Sequence, residues 1–113
     1  MYNHFEGLNG MSGKTPRISI SEKQLAAFCR RNHIRKLSFF GSVLSDSFGP
    51  ESDVDVLVEF DPGHSPGLSL IRMQDELSAL LGGRKVDLVT LKFLNKRIRD
   101  KVINEAAVQY AQR

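Results

Sequence analysis

The spacing of apolar positions divides the chain into alternating helical and extended stretches. After Ser21, with Gln24 three residues on in a capping-box arrangement, Leu25, Ala26, Phe28 and Cys29 recur at helical spacing and predict a first helix ending near Asn32. Leu37 to Phe40 is a short apolar run stopped by Gly41, which reads as a strand, and Ser42 to Phe48 reads as one short helix before the Gly49-Pro50 break. From Asp53 to Phe60 the even positions are all apolar, while the odd positions carry Asp53, Asp55 and Glu59. Alternation therefore gives this strand one face for a core and another that presents acid. Asp61-Pro62-Gly63 and Ser65-Pro66-Gly67 mark a loop, after which Leu70, Ile71, Met73, Leu77, Leu80 and Leu81 keep helical spacing until Gly82-Gly83. Lys85 to Thr90 reads as a third strand. Leu94, Ile98, Val102, Ala106 and Tyr110, at successive i+4 steps, predict a last helix over 94–111.

The order helix, strand, short helix, strand, helix, strand, helix predicts an α/β (α+β) fold: a small mixed sheet of about three strands packed with helices. The helix between the second and third strands is long enough for a parallel crossover, whereas Ser42 to Phe48 is short for one, so the first two strands are expected to be antiparallel. Residues 1–17 show no hydrophobic periodicity, are punctuated by glycine and close at Pro16, so they read as a flexible leader before a single domain over 18–113. Gly13-Lys14-Thr15 imitates the end of a phosphate-binding P-loop. That motif needs a glycine where Leu8 stands and a helix where Pro16 and Ile18-Ser19-Ile20 follow, so it is set aside.

Composition narrows the class without fixing it. At 113 residues, 41% hydrophobic and 26% charged, the chain suits one ordinary globular core. No apolar run reaches the roughly 20 residues that span a bilayer, and the expected location is the cytoplasm. Cys29 is the sole cysteine, which excludes an internal disulfide and favours a core role. The net charge of +3 is too modest to diagnose nucleic-acid binding. Its distribution says more: acids gather from Asp46 to Asp61, flanked by Arg30, Arg31, Arg35 and Lys36 on one side and by Lys92, Lys96, Arg97, Arg99 and Lys101 on the other.

The acidic strand carries the candidate chemistry. Asp53 and Asp55 leave one face with Cα atoms roughly 6.5–7 Å apart, and a neighbouring third strand would bring Asp87 to the same face, because Val86 and Leu88 then face the core. Three ionised carboxylates about 5 Å apart repel by roughly 3 kcal/mol per pair at an effective dielectric of 20, which calls for cations. Oxygen donors alone indicate magnesium or manganese rather than zinc, and a pair of such ions is suited to clamping an in-line phosphoryl or nucleotidyl displacement. Gly41-Ser42, where the first strand turns, offers close backbone approach, a hydroxyl and free N–H groups to a polyphosphate. Glu59 reads as a solvated rim residue, His33 and His64 as helix-end and loop residues, and Tyr110 as packed.

Phe39-Phe40-Gly41-Ser42, then after ten residues Asp53-Val54-Asp55-Val56-Leu57-Val58, then Lys85-Val86-Asp87-Leu88-Val89-Thr90, resembles the minimal nucleotidyltransferases of the DNA polymerase beta superfamily. The likeness covers about residues 20–110. It implies a polymerase beta palm-like fold in which Asp53 and Asp55 hold two Mg2+ ions and the nucleotide phosphates. Asp87 would join one ion and activate the attacking hydroxyl, while Gly41 and Ser42 would bind the β- and γ-phosphates. Many members are antitoxins of HEPN/minimal-nucleotidyltransferase pairs, which implies AMP transfer from ATP to a tyrosine of a HEPN-type ribonuclease toxin. The family usually carries arginines shortly after Gly-Ser, whereas Val43, Leu44 and Ser45 stand here. Charge-assisted hydrogen bonds contribute about 1.5–3 kcal/mol each, so nucleotide binding is expected to be weaker. That departure motivates an alternative, a module that neutralises its partner by steric occlusion. A glycosyltransferase using Asp-x-Asp ranks last, since it leaves Gly41-Ser42 unexplained. A templating domain has no room, so an acceptor protein is expected to complete the site.

Overall fold

The computed structural model describes residues 20–45, 48–49, 51–64 and 66–112. The expected leader, and with it the P-loop imitation at 13–15, lies outside them. In chain order the elements are α1 (Glu22–Arg31), β1 (Ile34–Phe40), a 3-10 turn (Gly41–Leu44), β2 (Val54–Phe60), α2 (Ser69–Leu80), β3 (Val86–Val89), a second 3-10 turn (Leu91–Phe93), α3 (Lys96–Glu105) and β4 (Ala107–Ala111). The sheet has four strands in the order β3-β2-β1-β4. β1 runs antiparallel to both β2 and β4, and β2 runs parallel to β3 across the α2 crossover, so the sheet is mixed as expected.

Local chemistry sets the boundaries. The Ser21 hydroxyl accepts the Gln24 N–H at the start of α1. At its end, His33 takes a left-handed conformation (φ +59°), and β1 begins at the next residue, three residues earlier than the apolar run suggests. Phe28 and Cys29 of α1, Met73 and Leu77 of α2, Leu37 and Phe39 of β1, Val54, Val56 and Val58 of β2, and Val86 and Leu88 of β3 form one buried cluster. This is the face given by the even positions of β2. β3 is an outer strand, and its Leu88 N–H is accepted by the Gln74 side chain of α2 at 2.9 Å.

Two expectations are corrected. Ser42 to Phe48 does not form a short helix: one 3-10 turn, Gly41–Leu44, is followed by extended Ser45, and residues 46 and 47 lie outside the described set. The last helix does not run over 94–111. It starts at Lys96 under an Asn95 cap whose side chain accepts the Ile98 N–H, and stops at Glu105, where Ala106 turns extended (ψ 140°). Ala107–Ala111 then pairs with β1 as a fourth strand, and Tyr110 is buried from that strand, not from a helical stripe. Only Val102 of the stripe is buried within α3, and Ile98 is 47% exposed. The edge of β1 pairs with this segment, whose Val108 and Tyr110 are residue types that suit a strand, and this tertiary gain overrides the i+4 spacing.

Candidate active site

β1 delivers the chain to Gly41, which bends with φ +78° into the 3-10 turn. Phe40, just before it, is the register partner of Asp55. A methyl group in place of the Gly41 hydrogen would lie 2.4 Å from Oδ2 of Asp55, so both the bend and the contact require glycine. Ser42 is half-buried in the turn, and its carbonyl accepts from both the backbone and the hydroxyl of Ser45.

On the other side of β2, Asp55 pairs in register with Asp87 of β3. Parallel neighbours lie about 4.8 Å apart, so both carboxylates leave the same sheet face, opposite the core residues Val56 and Leu88. Asp53 sits one residue before β2 and is exposed, as is Asp87, while Asp55 is half-buried. Burial is the main cause that raises the Asp55 carboxyl above the ordinary 3.8, and the charges of Asp87 and then Asp53 push it further the same way. Asp55 therefore feels both of its acidic neighbours, and Gly41 lies against it.

Among the described residues no group of three or more Asp, Glu, His or Cys side chains is gathered tightly enough to hold an ion as it stands. The pair Asp55 and Asp87 is nonetheless a hard, all-oxygen donor set without thiolate or imidazole. Magnesium characteristically takes one or two carboxylates and fills the rest of its shell with water and substrate phosphate, so these residues fit it better than they fit a closed protein cage.

The described part of the loop before β2 is held by a residue that the patterning does not mark. Arg84, following Gly82-Gly83, donates from Nη2 to the carbonyls of Gly49 (2.6 Å) and Ser52 (3.3 Å). Its guanidinium carbon lies 4.3 Å from the ring centroid of Phe48. No motif or periodicity signals such a contact across more than 30 residues.

The other candidates lie elsewhere. Glu59 is at the far end of β2, where it lines a cavity of about 490 Å³ with Phe60, Pro62, Leu70, Leu91 and Phe93. That cavity includes none of Asp53, Asp55 and Asp87, of which Asp53 and Asp87 are exposed. His33 and His64 stack on each other, ring centroids 3.9 Å apart. Cys29 is fully buried, which pushes its thiol up to about 12 and keeps it protonated. No helix among the described residues is long and apolar enough to cross a membrane.

Residues 21–109 match the family profile described as the nucleotidyltransferase domain. A "putative protein adenylyltransferase" of Methanocaldococcus jannaschii is 32% identical over 89 residues, which cover 79% of this chain and 94% of that protein. The protein adenylyltransferase MntA of Thermococcus cleftensis is 39% identical over 72 residues, covering 64% of this chain and 71% of that one. Among solved structures, a "putative minimal nucleotidyltransferase" is 33% identical with a TM-score of 0.63, over 75% of this chain and 85% of its own. A chain of a toxin–antitoxin complex solved with AMP-PNP has a TM-score of 0.66 over 83% of this chain and 76% of its own; at 19% identity the likeness is one of fold.

Proposed function

This chain belongs to the nucleotidyltransferase domain family, and from that premise we propose that it transfers AMP from ATP to a hydroxyl of a partner protein. The observation that carries the reading is the in-register pair Asp55 and Asp87 beside the glycine bend at Gly41. The names of the Methanocaldococcus and Thermococcus relatives, protein adenylyltransferases both, favour a protein acceptor over a small molecule. The toxin–antitoxin assemblies that share the fold favour an antitoxin whose acceptor is a cognate toxin; that the toxin is of the HEPN type and the acceptor one of its tyrosines is what the resemblance above implies.

In this reading Asp55 and Asp87, joined by Asp53 from the rim, would hold Mg2+, which when bound would neutralise the polyphosphate and the charge developing on the leaving oxygen. Gly41 lets the β- and γ-phosphates approach the backbone, and the Ser42 hydroxyl donates to a phosphate oxygen. Asp87 takes the proton of the acceptor hydroxyl as its oxygen bonds to the α-phosphorus. The bond from that phosphorus to the bridging oxygen breaks, and pyrophosphate leaves with the electron pair. The exposure of Asp53 and Asp87 leaves one wall of the site to the acceptor.

The test is incubation with α-labelled ATP, Mg2+ and a HEPN-type ribonuclease as the candidate acceptor. Label is expected on the partner, lost on chelation and lost in Asp53→Ala and Asp55→Ala; transfer that persists in those variants overturns the proposal. The second reading, neutralisation by occlusion, is favoured by Val43, Leu44 and Ser45 in place of basic residues. It requires that the partner stay silenced by variants lacking all three carboxylates.

A further inference from the structure

Asp53 poses a positioning problem. It stands outside β2, one residue before the first strand residue Val54, so the ladder that aligns Asp55 with Asp87 does not reach it. What lies next to it in sequence is fixed by other means. The Ser52 N–H donates to the Gly49 carbonyl at 3.1 Å, and the Gly49 N–H donates to the Ser52 hydroxyl at 3.0 Å, closing a small ring. One nitrogen of Arg84 donates to the carbonyls of both residues, and its guanidinium rests on Phe48. On the other side of Asp53, the Val54 N–H donates to the Lys85 carbonyl at 2.9 Å. Arg84 is itself held from behind, since the Ser78 hydroxyl of α2 donates to its carbonyl.

We propose that Arg84 is the positioning residue for Asp53: it fastens the loop at Gly49 and Ser52 so that the next carboxylate stands at the rim of the Asp55 and Asp87 pair. The chain of contacts runs from Ser78 through Arg84 to Ser52 and on to Asp53, linking α2 to the site without touching a ligand. The guanidinium Nε is buried without a hydrogen-bond partner, so its placement rests on the two bonds from Nη2 and the stack on Phe48. Lysine is not equivalent: an ammonium can also donate to two carbonyls, but it lacks the planar group whose stack on Phe48 aims the donor at them. The proposal rests on the carboxylate reading above.

The test is a double-mutant cycle between positions 84 and 53, with Mn2+–AMP-PNP as the probe and its dissociation constant measured by calorimetry, so that no turnover is needed. Arg84→Lys is expected to weaken binding about tenfold in the parent chain and less than about twofold in an Asp53→Asn background, since the lost bonds act only through Asp53. Melting temperature is followed in parallel. Ser78→Ala, a milder change at the back of the chain of contacts, is expected to give the same pattern at about threefold and remains informative if Arg84→Lys does not fold. Equal losses in both backgrounds, or no loss, overturn the proposal. Asp53→Asn that weakens binding while Arg84→Lys does not removes this inference alone; Asp53→Asn that binds as tightly as the parent removes the carboxylate reading and this inference with it.

Discussion

The two faces of the sheet, compared along the same rungs, are built on opposite physical demands. On one face Phe39, Val56 and Leu88 lie side by side and are 0%, 0% and 4% exposed. On the other, one residue along each strand, Phe40, Asp55 and Asp87 form the neighbouring rung, where like charges crowd and burial opposes ionisation. The first arrangement lowers the free energy of the folded chain through buried apolar area; the second raises it, and a bound cation offsets that. A step of one residue thus separates a position selected for packing from one selected for chemistry.

The comparison breaks if mutations on the two faces have similar consequences. The largest expected effect is on the packed face: Phe39→Ala should cost about 3–5 kcal/mol in urea unfolding, while the fraction still folded keeps its specific activity. Asp55→Asn should do the reverse, leaving the fold intact and lowering label transfer by about 100-fold or more, as for removal of a preorganised charge contact. A smaller effect sharpens the same contrast. Because the native Asp55 carboxyl titrates above 3.8, the native state holds that proton more firmly than the unfolded chain does. Stability of the metal-free protein should therefore fall as pH rises from 3.8 through the raised native value, and Asp55→Asn should flatten that slope and raise the melting temperature at neutral pH. The smallest signal is Cys29, whose thiol remains neutral up to about 12; Ellman's reagent should label it no faster than the protein unfolds.

Features governed by a short-range rule were legible in the sequence. The alternation in Asp53 to Phe60 gave the orientation of the second strand, Asp87 between Val86 and Leu88 gave its partner, and the shortness of the link after Gly41 gave the antiparallel first pair. What stayed hidden depended on partners distant along the chain. Leu94 to Tyr110 satisfies helical spacing, and nothing within it announces that the edge of β1 will draw Ala107–Ala111 into a ladder. Leu57, an odd-position residue of the acidic strand, is 3% exposed, so the acid face is not polar throughout. Arg84 reads as an ordinary strand-flanking cation until Gly49 and Ser52 are brought beneath it.

The bond from Leu88 to Gln74 bears on more than the sheet's outer edge. β3 has only four residues, so its alignment with β2 rests on few rungs, and a slide of a single residue would carry an aliphatic side chain into the place of Asp87. Gln74 acts as a stop against that slide, gripping the one rung next to the acid from a helix on the other side of the sheet. Drift at position 74 would then be felt at a carboxylate it never meets, as an enzyme that still folds but has lost its count along the strand.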